Sequence, residues 1–214
     1  MDSRKRELCD LYIADLFAKE DSVLEELRHA SSVAGLPQIA IGRAEGKLLQ
    51  VLLRAVNARR VLELGTLGGY SAVWLARALP ETGRLITVER DPDRAALALH
   101  FIERAGLANR VTVRVGAATE LLPDLVEQGP FDAVFIDADK EGYPRYLDWC
   151  RDNVRVGGLV IADNALKKGQ VLDSETQDPG VLGIREFNRR LASDPRFTSI
   201  VVPMRDGIAI AIVN

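Results

Sequence analysis

From Arg60 onward the chain alternates short apolar runs with amphipathic segments, strand then helix, and this rhythm restricts the fold more than any other feature. Strands are predicted at Arg60–Leu64, Arg84–Glu89, Arg110–Val115, Phe131–Ile136 and Leu159–Ala162. Helices are predicted between them at Tyr70–Leu79, Asp91–Ala105, Ala117–Glu127 and Tyr143–Asn153, the second opened by the cap Asp91 and a first-turn Pro92. Such alternation requires parallel strands with helices on both faces, because each crossover needs a helix to return the chain. The end differs. Val181–Ala192 reads as a helix, and strands at Phe197–Pro203 and Ile208–Val213 flank the short turn Met204-Arg205-Asp206-Gly207, which makes an antiparallel hairpin. The reading is an α/β fold with a seven-stranded mixed sheet, mostly parallel, closed by that hairpin.

Residues before this core read as helix, with Leu8, Leu11, Tyr12 and Leu16 spaced by threes and fours, a second run at Leu24–Arg28, and a third helix from about Ala44 to Val56. A chain of 214 residues at 47% hydrophobic supports one domain, with 1–57 as a helical cap and 58–214 as the core. The formal charge of -3 gives no overall attraction to nucleic acid or anionic lipid. No stretch is apolar for the roughly 18 residues of a membrane span. Cys9 and Cys150 are far apart and lack a CxxC pattern, so reduced thiols and a cytoplasmic setting are expected. The charged opening Met1-Asp2-Ser3-Arg4-Lys5-Arg6 runs into a helical pattern and does not resemble a signal peptide. Lys167–Gly180 is the candidate lid.

Candidate chemistry gathers at strand ends. In an open parallel sheet, ligands bind beyond the carboxyl ends of the strands. The first strand runs into Glu63-Leu64-Gly65-Thr66-Leu67-Gly68-Gly69-Tyr70-Ser71, whose glycines allow a sharp turn and a close approach to a ligand. The spacing is not the G-x-G-x-x-G of a dinucleotide site, and no lysine follows to form a phosphate loop. Glu89 ends the second strand, where an acid can accept hydrogen bonds from ribose hydroxyls; the alternative is a solvated helix start with Arg90 and Asp91. Gly116-Ala117-Ala118-Thr119 follows the third strand with side chains small enough to border an adenine ring.

Two further apolar runs end in acids, Phe131–Ile136 at Asp137 and Val156–Ala162 at Asp163, which Asn164 follows. Both runs read as buried strands. Two carboxylates and an amide oxygen suit Mg²⁺, Mn²⁺ or Ca²⁺ and not zinc. His29 and His100 lie in helical segments and read as structural. Lys140 can take a proton from a phenol beside such a cation, or simply pair with Asp139 or Glu141.

Together the glycine loop, Glu89, Phe135-Ile136-Asp137-Ala138-Asp139-Lys140, Asp163-Asn164, Arg185-Glu186-Phe187-Asn188 and Asp206-Gly207 resemble the cation-dependent class I O-methyltransferases of the caffeoyl-coenzyme A and catechol type, over nearly the whole chain from about Leu36. The resemblance implies the Rossmann-like methyltransferase fold and S-adenosylmethionine as methyl donor, held by Glu63, Gly65, Thr66, Gly69, Tyr70, Ser71, Glu89, Ala118 and Asp137. It implies Asp137, Asp163 and Asn164 as ligands of a divalent cation, Mg²⁺ first, with Lys140 as general base and Asp137 beside it. It further implies a homodimer and a small phenolic acceptor with vicinal hydroxyls. This sequence departs from the family at Ala40 and Ile41, where methionine is common, and at Pro203-Met204-Arg205, where the catechol enzyme has an acid. Acceptor choice therefore does not carry across.

Two rival readings remain at this stage. A transfer-RNA hydroxyuridine methyltransferase would use Arg4, Lys5, Arg6, Lys167 and Lys168 on the nucleic-acid backbone, against the acidic total. A non-catalytic binder of the donor or of a nucleotide would have no need for Lys140 and Asn164 beside Asp137, and a dehydrogenase is disfavoured by the glycine spacing.

Overall fold

The computed structural model describes residues 3–214. Met1 and Asp2, with which the charged opening begins, lie outside the described residues, as do the side chains of Ser3, Arg6 and Glu7. Seven strands form one sheet: β1 (Arg60–Leu64), β2 (Arg84–Glu89), β3 (Val111–Val115), β4 (Phe131–Ile136), β5 (Val154–Ala162), β6 (Phe197–Val202) and β7 (Ile208–Val213). Their order is β3-β2-β1-β4-β5-β7-β6, and only β7 runs against its neighbours, β5 and β6. The order reverses between β1 and β4, which opens a crevice at their carboxyl ends.

Helices α1 (Ser3–Phe17), α2 (Ser22–Val33) and α3 (Arg43–Ala55) precede the sheet, and α4 (Tyr70–Ala78), α5 (Pro92–Arg104), α6 (Ala118–Leu125), α7 (Tyr143–Asn153) and α8 (Pro179–Ser193) connect its strands. The starts follow from local chemistry. Asp91 caps α5 by accepting from the backbone N–H of Asp93 (2.9 Å) and Arg94 (3.1 Å), and Asp21 caps α2 through Leu24 at 3.2 Å. One face of the sheet is covered by an apolar layer that includes Leu49, Leu53, Trp74 and Phe101, and the other by one that includes Leu122, Tyr146, Leu147 and Phe187.

Three details differ from the sequence reading. β5 begins at Val154 rather than Leu159, because Gly157 takes a φ of +73° and absorbs a register shift opposite Phe131 and Ala133, after which pairing resumes. The run from Val156 is consequently not buried throughout: Val156 itself is 72% exposed. In α1 the apolar stripe Leu8, Leu11, Tyr12 and Leu16 faces outward, and among the described side chains of this helix only the small Ala14 is buried. Residues of the candidate lid form a 3-10 turn at Lys167–Leu172 with left-handed backbone at Lys167 and Lys168. Among the described residues no helix is long and apolar enough to cross a membrane.

Candidate active site

The glycine loop is shaped by close backbone approach. Gly65 has a φ of +99°, and a Cβ there would strike the carbonyl oxygen of Asp137, so only glycine lets the ends of β1 and β4 meet this closely. Gly69, with a φ of +91°, opens α4 and faces Ala98 of α5. Between them Leu67 also takes positive φ, and its N–H donates to Glu89 Oε2 at 2.7 Å, while Asp91 N–H donates to Oε1 at 3.1 Å. The Glu89 carboxylate thus braces the loop and the start of α5 as well as facing the crevice.

A cavity of about 710 Å³ occupies this crevice, an ordinary size for a small-molecule site. Gly65, Thr66, Tyr70, Ser71, Glu89, Ala118 and Asp137 all line it. Glu63 and Gly69 do not. Glu63 is fully buried below the floor, where Thr87 Oγ1 donates to its Oε2 at 2.6 Å and Thr66 Oγ1 lies 2.5 Å from Thr87 Oγ1. Its other oxygen, Oε1, has no hydrogen-bond partner among the described residues. Burial pushes the Glu63 carboxyl up to about 8, with Ser71 and Thr87 opposing the rise. Tyr70 turns its hydroxyl away to donate to Glu20 Oε1 at 2.8 Å, and the cavity wall continues onto Arg28, Ser31 and the segment 37–42.

Asp137 and Asp163 leave adjacent strands one step beyond the last pair, Ile136 with Ala162. The Asp163 N–H still donates to Ile136 O at 3.0 Å, and Asp137 N–H to Leu64 O at 2.8 Å, so both acids are fixed by the sheet itself. Lys140 follows in a 3-10 turn, Lys140–Gly142, and its Nζ donates to Asp137 Oδ1 at 2.7 Å and to Tyr143 Oη at 2.8 Å. The pairing with Asp139 or Glu141 considered from sequence is not the one formed. Asp139 instead accepts from Gly142 N–H at 3.0 Å and from the Tyr146 hydroxyl at 2.5 Å, which locks the turn. Tyr143, fully buried, lies within 3.0 Å of both Ile136 O and Asp163 O as donor, so one hydroxyl ties together the two strand ends and the lysine. Tyr143 went unnoticed in the sequence, although its position one turn beyond Lys140 was the available signal.

Electrostatics set the character of this cluster. Burial drives Asp137 up to about 6; the Lys140 ammonium opposes the rise and the Asp163 charge adds to it. Asp163 is also raised, by burial first, against the Asn164 backbone N–H, which donates to Asp163 Oδ1 at 2.7 Å. Asn164 has a φ of +57°, and its side-chain amide makes no hydrogen bond with the described residues. Among the described residues no three Asp, Glu, His or Cys side chains are arranged to hold a metal ion, so a cation here would depend on that amide oxygen as the third protein donor. Two mutually repelling carboxylates, Asp163 buried and Asp137 half-buried, beside an unpartnered amide are a donor set of hard oxygens, and they fit a divalent cation.

A sheet of this order, with a glycine loop and an acid at the ends of β1 and β2 and an acid-lysine cluster at the ends of β4 and β5, defines a class I methyltransferase. The family model described as O-methyltransferase matches residues 14–213. A catechol O-methyltransferase of Niastella koreensis is 44% identical over 221 aligned positions, covering 100% of both chains. Caffeoyl-CoA O-methyltransferase 1 of Eucalyptus globulus is 33% identical, covering 91% of this chain and 83% of its own. Among solved structures, the O-methyltransferase TomG from Streptomyces achromogenes in complex with SAM superposes with a TM-score of 0.92 at 40% identity, covering 100% of each chain. The chain belongs to this O-methyltransferase family and is an enzyme of that class.

Proposed function

We propose that the enzyme transfers the methyl group of S-adenosylmethionine to one hydroxyl of an aromatic vicinal diol, with a divalent cation held by Asp137, Asp163 and Asn164. The observation that carries this reading is the cluster in which Lys140 Nζ, 2.7 Å from Asp137, stands beside Asp163 at the edge of a cavity walled by the glycine loop. The names of the similar proteins, and the SAM in the Streptomyces complex, support the donor and the acceptor class.

The donor supplies an electrophilic methyl on a sulfonium. Of the residues lining the cavity, Glu89 would hold its ribose, the small side chain of Ala118 would leave room for its adenine, and the loop from Gly65 to Ser71 would orient its methionine part. A cation held by Asp137, Asp163 and Asn164 would supply Lewis acidity that favours ionisation of an acceptor hydroxyl near neutral pH. Lys140 Nζ, aimed by Tyr143 and Asp137, would accept the phenolic proton in its neutral amine form, after its ammonium has released one proton to solvent. The sheet holds these groups in fixed relation, so that alignment of oxygen, carbon and sulfur is supplied by binding.

Purified enzyme with labelled donor and a simple catechol should show transfer that EDTA abolishes and Mg²⁺ restores. Asp163→Ala should remove transfer while calorimetry still shows binding of S-adenosylhomocysteine. Full turnover in EDTA would defeat the metal assignment, and absence of transfer to any diol would defeat the acceptor assignment.

A further inference from the structure

The turn between β6 and β7 brings Arg205 to the wall of the same cavity that Asp137 and Ala138 line. Arg205 lies 160 positions from Glu45 in sequence, yet its Nη1 donates to Glu45 Oε2 at 2.6 Å and to Ala40 O at 3.3 Å. Glu45 is 2% exposed and also accepts from the Gly42 N–H, so it is a fixed anchor at the start of α3. Both bonds use Nη1. Nε and Nη2 make no hydrogen bond with the described residues, and the side chain is 51% exposed. The backbone of Arg205 has a φ of +47°, held by the turn bond from Gly207 N–H to Met204 O at 2.9 Å. An arginine kept in a left-handed conformation carries a backbone cost that a glycine would not.

Three acids on this side already have partners. Asp137 holds Lys140, Asp139 holds Tyr146 and Gly142, and Asp206 accepts from Lys168 N–H. Ala165 N–H donates to Gly207 O and Leu166 N–H to Asp206 O, each at 2.9 Å, so the turn that carries Arg205 is seated against the segment just after Asp163 and Asn164. The pair of donors left over, Nε–H and Nη2–H, is the parallel fork that matches the two oxygens of a carboxylate.

Building on the diol reading above, we propose that Arg205 determines acceptor specificity, selecting vicinal diols that also carry a carboxylate and engaging it through Nε and Nη2. Anchorage by Glu45 fixes the fork before the acceptor arrives, so little of the side chain's freedom is lost on binding.

The test compares kcat/KM for a vicinal dihydroxybenzoate and its methyl ester. The wild-type enzyme should prefer the acid by roughly tenfold to a hundredfold, the range of a charge-assisted pair. Arg205→Met should bring that ratio close to one, mainly through KM for the acid, and Arg205→Lys should restore part of it. Because Arg205→Met strands the buried Glu45, the double variant Glu45→Gln/Arg205→Met, which removes both charges, gives the same readout if the single variant does not fold. Equal wild-type efficiency on acid and ester, or a preference that survives loss of the guanidinium, overturns the inference alone. No transfer to either compound overturns the diol reading and this inference with it.

Discussion

Glu63→Gln isolates a cost hidden under the donor loop. The carboxyl is fully buried, and burial raises it from 4.5 to about 8. In the unfolded chain it ionises near the ordinary value, so between these two limits the folded protein holds a proton that the unfolded chain has released. Stability must therefore fall as pH rises through this window and level off above the folded value, with a slope of about 1.4 kcal/mol per pH unit from this group. Glutamine has no proton to lose. Its amide would meet the space beside Oε1, which has no partner among the described residues, at a cost of about 1–3 kcal/mol that does not depend on pH. The variant should thus be less stable than wild type near pH 5 and gain on it by roughly 4 kcal/mol by about pH 8. Urea denaturation of both proteins across this range, followed by tryptophan fluorescence, measures the difference directly. A stability difference that stays constant with pH would refute the reasoning.

Tyr143→Phe removes the hydroxyl that joins Lys140 to Ile136 O and Asp163 O. The expected cost is about 1–3 kcal/mol of stability, several degrees in melting temperature for a chain of this size, and a fall in kcat of roughly tenfold with KM nearly unchanged. Calorimetric melting together with steady-state kinetics checks both, and an unaltered kcat would show that the lysine needs no such support. Gly65→Ala should abolish binding of S-adenosylhomocysteine in titration calorimetry, because a Cβ would meet the Asp137 carbonyl and the positive φ alone costs roughly 1 kcal/mol or more. Wild-type affinity in that variant would mean that the loop tolerates movement.

Strands β1, β2, β4 and β7 were legible to the residue, because dense apolar runs bounded by glycine, proline and acids leave little choice of period or end. Glu89 and Asp137, at the carboxyl ends of β2 and β4, were legible for the same reason: a strand end in a parallel sheet has a known destination. Glu63, which the resemblance groups with the donor-holding residues, has a different setting from these strand-end acids. It lies within β1, before Leu64, so the pleat points it into the body of the protein instead of off the strand end. The outward stripe of α1 shows the limit of helical periodicity, which identifies an apolar face and not what that face meets.

Local sequence therefore determined the order of strands and helices, the conformations that glycine permits, and which acids and which lysine could reach the crevice, since all of these depend on neighbours within a few positions. Tertiary packing alone decided that Tyr143 spans two strand ends and that Glu45 meets Arg205. Those contacts join segments whose separation in the chain carries no signal, and they exist because the sheet order places the β6–β7 turn and the start of α3 beside the same crevice.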